Sequence, residues 1–323
     1  MHRALCCALS LGVLLVSTAA VAAAETTPPE VAQAERLYSD GRFKESLAIL
    51  NAYLKDHPRD ATALTDRGDD YEALNDQRSA IADYTAALSI NPDYAYALAS
   101  RCESYREVDD SQAALKDCDA AINLNPKSAY AYRERALLKV ASNDLQAALA
   151  DADQSVGLAP NNAFGFAVRC RIYVEMASYS KALSDCNSAI AIDNSEQYAY
   201  FQRGRVEIAQ SQWNAAVADF EKTLLLDSSQ TGSYYWLAIA QLNLGAYPAA
   251  LAQADRYISS NVDDADGHLL RAQIEAKLGN TAEARTSAAD ALRHYRIVND
   301  ESGAAKAQAL LDSLGASATP APQ

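Results

Sequence analysis

Histidine is nearly missing from this chain of 323 residues: there are four, with His57, His268 and His294 far apart and His2 close to the N-terminus. No H-E-x-x-H, G-x-S-x-G or C-x-x-C occurs, and there is no phosphate-binding glycine loop. Those are the residue sets on which zinc hydrolysis, acyl transfer, dithiol exchange and nucleotide binding rest, so the chain reads as a non-enzyme without cofactor or metal. The stretch "VDDADGH" at 262–268 is no calcium loop either, since its register puts Val262 and Gln273 where the two terminal carboxylates belong. Basic residues are also few, 28 against 42 acidic, for a net charge of −14. A surface that acidic repels phosphate backbones and anionic headgroups, which excludes nucleic acid as a natural partner. With only 12 glycines and 9 prolines, and alanine throughout, the composition points to helices.

Long apolar runs are missing too, with one exception. His2 and Arg3 precede an apolar stretch from Ala4 to Ala24 that ends in Ala22-Ala23-Ala24 before Glu25. This is the layout of a secretory signal peptide over residues 1–24. The alternative is an uncleaved anchor, because the run is just long enough to span a bilayer. Cys6 and Cys7 lie at the start of the apolar stretch, not after it, and leave with it. Cleavage yields 27 basic against 42 acidic residues, a net charge of −15, and no membrane insertion of what remains. The absence of any Asn-x-Ser/Thr acceptor favours a bacterial envelope, so the expected location is periplasmic or secreted.

What the chain does have is a repeat. "ALTDRGDDYEALNDQRSAIADYTAALSINP", ending at Pro92, aligns without a gap on the segments ending at Pro126 and Pro160, a period of 34 residues. Extended both ways, the frame gives eight units, at 27–60, 61–94, 95–128, 129–162, 163–196, 197–230, 231–264 and 265–298. Position 8 is small, Ala or Gly in six units (Ala34, Gly68, Ala136, Gly204, Ala238, Ala272), position 20 is Ala in seven of the eight, and position 28 is aliphatic in all. A Gly or Asn recurs near position 15 (Gly41, Asn75, Asn143, Gly245, Gly279). Small residues at 8 and 20, with apolar residues at helical spacing between them, describe two antiparallel helices in close approach.

This pattern resembles the tetratricopeptide repeat family over residues 27–298. The resemblance implies an all-α, right-handed solenoid over 25–298, with a concave groove lined by the first helix of each unit. Such pairs cannot bury their apolar faces alone, so they stack and share one core. Residues 299–316 read as a helix capping the open end, 317–323 as a disordered tail and 25–30 as a short disordered start.

Four cysteines fall in this frame, Cys102 and Cys118 at positions 8 and 24 of the third unit, Cys170 and Cys186 at the same positions of the fifth. Units two apart are too distant to share a metal. In an antiparallel pair the lean of helical side chains brings positions 8 and 24 together. The reading is therefore two disulfides, Cys102–Cys118 and Cys170–Cys186, with free core thiols as the plainer alternative. Arg67 with Asp83, Arg101 with Asp117, Arg135 with Asp151, Arg169 with Asp185 and Arg203 with Asp219 repeat at positions 7 and 23, which reads as an ion-pair ladder between helices or between units.

By the resemblance, positions 2, 5, 9, 12 and 13 face the groove. They carry Tyr96, Tyr130, Phe164 and Tyr198, then Arg133, Phe201 and Tyr235, then Arg171 and Arg205, with Arg106 at position 12. Aromatics interleaved with arginines are the composition of recognition hot spots. The alternative is that the rings pack as ordinary core between units. The chain is thus expected to be an interaction scaffold of the bacterial envelope, binding a protein or peptide in its groove, or else an auxiliary regulator of an envelope enzyme or of a secretion or cell-wall assembly machine.

Overall fold

The structure, a computed structural model, describes residues 27–316. The expected signal segment and C-terminal tail lie outside the described residues. Among those residues there are seventeen helices and no strand. They run as pairs: α1 (Pro29–Ser39) with α2 (Phe43–Asp56), α3 (Ala61–Ala73) with α4 (Gln77–Ile90), α5 (Ala95–Glu107) with α6 (Ser111–Leu124), and α7 (Ala129–Ala141) with α8 (Leu145–Leu158). The series continues with α9 (Ala163–Glu175) and α10 (Tyr179–Ile192), α11 (Gln197–Ala209) and α12 (Trp213–Leu226), α13 (Thr231–Asn243) and α14 (Tyr247–Ser260), α15 (Ala265–Leu278) and α16 (Thr281–Ile297). α17 (Glu301–Ala316) packs on α16 and α15 and closes the array. One expectation is corrected here: the start of the array is helical from Pro29, because proline's fixed φ and missing N–H suit the first turn of a helix.

The turn inside each pair has one recurring device. Position 15 is left-handed in all eight units, as glycine in three (Gly41, Gly245, Gly279; φ +73° to +82°) and as Asn75, Asp109, Asn143, Ala177 and Ser211 in five (φ +52° to +61°). Glycine and asparagine take this conformation cheaply and alanine does not. The next residue then caps the second helix: the carboxylates of Asp76, Asp110 and Asp144 each accept the N–H three residues on, which contributes about 1 kcal/mol per cap.

The alanines of position 20, Ala80 through Ala284, are fully buried, and so are the residues that meet at positions 8 and 24. Beyond Ala34 with Leu50 in the first unit, that pair is filled in three ways. Where position 8 is glycine an aromatic ring lies over it: a Cβ on Gly68 would come 2.5 Å from Tyr84, and one on Gly204 2.8 Å from Phe220. Where both are small the helices meet through Ala136 and Ala152, or Ala238 and Ala254. Where both are cysteine they are bonded, Cys102 to Cys118 and Cys170 to Cys186, with Cα atoms 5.5 and 5.4 Å apart. A loop of this length gives a bridge worth about 3 kcal/mol on a chain-entropy basis.

The arginines of position 7 tie the stack together in two directions at once. Arg169 donates twice to Asp185 of its own pair, at 2.6 and 2.9 Å, and once to Asp153 of the preceding pair at 2.9 Å. Arg67, Arg101, Arg135 and Arg203 repeat the fork on Asp83, Asp117, Asp151 and Asp219, with the third arm on Asn51, Thr85, Asp119 and Asn187. The ladder is both intra-unit and inter-unit, and every arginine in it is occupied. In the last pair, where Ser287 replaces the aspartate, Arg271 turns to Asp255 and Glu275.

Each first helix touches the next first helix from α1 to α15, while among the described residues no second helix approaches another second helix. The stack therefore curves with α1, α3, α5, α7, α9, α11, α13 and α15 on its inner side.

Candidate groove on the inner helices

The inner helices gather the sequence-predicted residues into one continuous row, in contact from unit to unit. The Tyr96 and Tyr130 rings lie 6.1 Å apart. The Arg133 guanidinium sits between the rings of Tyr130 and Phe164, 4.8 and 4.7 Å from their centres. Phe164 packs edge-on to Tyr198 at 5.7 Å, and Arg171 donates to the Tyr198 hydroxyl at 3.1 Å. Phe201 leans on Phe220 beneath it, and Tyr235 packs edge-on to Trp236, over which Arg205 lies at 5.8 Å. Tyr96 is exposed, and the other eight residues of the row are half-buried. Tyr96 with Tyr130 and Phe164 with Tyr198 pack ring to ring between neighbouring units, while Phe201 on Phe220 and Tyr235 on Trp236 and Tyr257 pack within their own units.

Charge along the row is not uniform. In the middle, Glu134 is wholly buried and receives Arg133 at 2.8 Å and Arg106 at 3.1 Å. Glu103 accepts a hydrogen bond from the Tyr130 hydroxyl and faces Arg133 at 4.0 Å. Further along, Arg205 pairs with Glu175 at 3.0 Å. At the N-terminal end, Asp66, Asp69, Asp70 and Glu72 of α3 crowd together, and burial pushes the first up to about 7 and the next two to about 6. Burial and the Glu103 charge push Glu72 upward as well. Sequence reasoning passed over these acids. The available signal was a run of carboxylates at positions 6, 9, 10 and 12 of one first helix, without the arginines that answer them two units later.

Among the described residues no group of three or more His, Cys, Asp or Glu side chains is arranged to hold a metal ion. Nor is any helix there long and apolar enough to cross a membrane.

A stack of helix pairs curved around an inner face is the architecture of an α-solenoid. Tetratricopeptide repeat models match residues 31–99, 103–164 and 207–274, and the chain belongs to the tetratricopeptide repeat family. Solved structures agree on the fold. A chain of the APC/C hetero-tetramer Cut9–Hcn1 superposes with a TM-score of 0.76 at 16% identity, covering 88% of this chain and 55% of that one. The chain thus spans about half the length of that relative. A tetratricopeptide repeat protein of Parabacteroides merdae gives a TM-score of 0.55 at 17% identity over 77% of this chain and 98% of that one. PilF of Pseudomonas aeruginosa gives 0.56 at 17% identity over 67% and 96%. No curated protein matches the sequence. The family assigns the chain to the typically non-catalytic scaffolds of protein–protein interaction.

Proposed function

We propose that this is an exported scaffold of the bacterial envelope that holds a protein or peptide segment in its inner groove. The observation that carries the reading is the continuity of the row from Tyr96 to Tyr235, half-open rings spaced by arginines along successive inner helices. Large rings lose little entropy when they bind, and arginines between them take carboxylates or carbonyls. An extended segment running along the helices meets one such group in each unit. Two disulfides support an oxidising compartment, as does the apolar run at residues 4–24. The test is a crosslinking capture from the envelope fraction with wild type and with a Tyr130→Ala, Tyr198→Ala, Arg205→Ala variant whose helicity is checked by circular dichroism. The reading predicts a partner captured by the wild type and lost by the folded variant; a partner retained by the variant contradicts it.

A further inference from the structure

The N-terminal end of the groove contains buried acid with no cation to answer it. Glu35 and Tyr38 of α1, Ser46 of α2, Asp66 and Asp69 of α3 and Tyr96 of α5 enclose a cavity of about 210 Å³. Its two tyrosine rings are open, Tyr38 at 41% and Tyr96 at 48% exposure. Asp69 is held by hydroxyls alone, from Tyr84 at 2.6 Å and Tyr96 at 3.0 Å. Asp66 has an oxygen shielded from solvent with no donor. Asp70, beside them on α3, is fully buried, and neither of its oxygens has a hydrogen-bond partner. The polar side chain it faces is Ser46 on the cavity wall, whose hydroxyl donates instead to the Ala34 carbonyl at 3.1 Å.

The charges acting on Asp66 are those of Asp69, Glu35, Asp60 and Asp70, all of one sign. Most buried acid elsewhere in the molecule is answered by arginine, with Glu207 and its one unpartnered oxygen the exception. Glu134 has two arginines, and Asp83, Asp117, Asp151, Asp185 and Asp219 each have a bidentate one. Burying a carboxylate without a partner is costly, and the acids of this cluster meet the cost by holding their protons to higher pH, which a cation beside them would reverse. Its carboxylates are not disposed as metal donors, and its walls are aromatic, which suits an organic cation.

We propose that this cavity receives a lysine or arginine side chain of the segment that lies in the groove, the cation seated against Asp66 and Asp69 between the rings of Tyr38 and Tyr96. The inference rests on the groove reading and adds a register to it. The partner segment carries a basic residue at the end lying over α1, α3 and α5, and acidic or carbonyl groups where Arg171 and Arg205 stand. Because burial holds Asp66, Asp69 and Asp70 above the ordinary carboxylate range, entry of the cation expels protons, and binding strengthens as pH rises through 6 to 7.

The test is titration of the full chain, with ring-labelled tyrosine followed by NMR, against Nα-acetyl-lysine methylamide and Nα-acetyl-arginine methylamide. The neutral Nα-acetyl-norleucine methylamide is the control. The proposal predicts saturable shifts at Tyr38 and Tyr96 with both basic probes and none with norleucine. It predicts affinity about fivefold higher at pH 7.5 than at pH 5.5, and about tenfold lower in an Asp66→Asn, Asp69→Asn variant. Equal shifts from norleucine, absence of saturation in the wild type, or affinity indifferent to pH overturns it even if that variant does not fold. The Tyr198→Ala, Arg205→Ala variant keeps the two readings apart. It must still bind the lysine probe; if it binds the probe and also captures the same partner as the wild type, the groove reading fails and the cavity stands.

Discussion

Asp70 occupies the tenth position of its unit, where five other units carry Leu138, Ile172, Val206, Ala240 and Ile274. An ionisable group has replaced a core side chain, and the cost has a definite sign. Its folded-state carboxyl is raised to about 6 by burial, above the ordinary value of about 4. Between those values the folded protein holds more protons than the unfolded one, so stability is lost as pH climbs from about 4 to about 6 and stays lost above. Asp66, raised to about 7, extends the loss by a further unit. An Asp70→Asn variant is therefore predicted to melt about 2–4 °C higher than wild type at pH 8, a gain of ~1 kcal/mol in a chain of this size. At pH 4.5, where Asp70 is protonated in the folded wild type, the two should melt together. Thermal melts at the two pH values decide it: a shift that is the same at both means the effect is packing and not charge.

At the scale of the helix pair, position 15 is the place where local sequence and imposed geometry disagree most. Ala177 sits at φ +52° because the turn must close as it does in the other seven units, although its Cβ opposes that conformation. Ala177→Gly removes the clash at a site with no other demand, and is predicted to stabilise the protein by about 1 kcal/mol in a denaturant titration; destabilisation contradicts the account of the turn. This scale was also the most legible in the sequence. Five of the eight position-15 residues are Gly or Asn, the alanines of position 20 mark the close approach, and matched cysteines at 8 and 24 announce a bond for which the backbone sets the Cα atoms 5.5 and 5.4 Å apart. The other fillings of the same pair, Tyr84 over Gly68 and Phe220 over Gly204, had a signal as plain, a glycine answered by a ring sixteen residues on. The carboxylate cavity was not legible. In the sequence Asp66 and Asp69 belong to a run of carboxylates on one helix, and only the stacking of three units brings Tyr38 and Tyr96 against them.

Over the whole molecule the sequence encodes a spring of like parts with unlike linings. The ladder of position-7 arginines runs from Arg67 to Arg203, and Leu237 interrupts it before Arg271. Both disulfides lie within its span, so the covalent and ionic ties are concentrated in the middle units, as is the row from Tyr96 to Phe201. In a linear array each unit leans only on its neighbours; reinforcing the middle keeps the groove in one shape, and a preformed groove loses less on binding. The lining then changes along the length, from unanswered acid on α3, through the Glu134 cluster, to Arg171 and Arg205.

That account stands or falls on which face the partner touches. A photo-crosslinking amino acid placed at Tyr198 on an inner helix, or at Leu225 on the second helix α12, where 78% of the side chain is exposed, reads the face directly in intact cells. The account predicts one covalent adduct from position 198, competed away by the captured partner's own segment, and none from position 225. The same adduct from 225, or from both in equal yield, would contradict it.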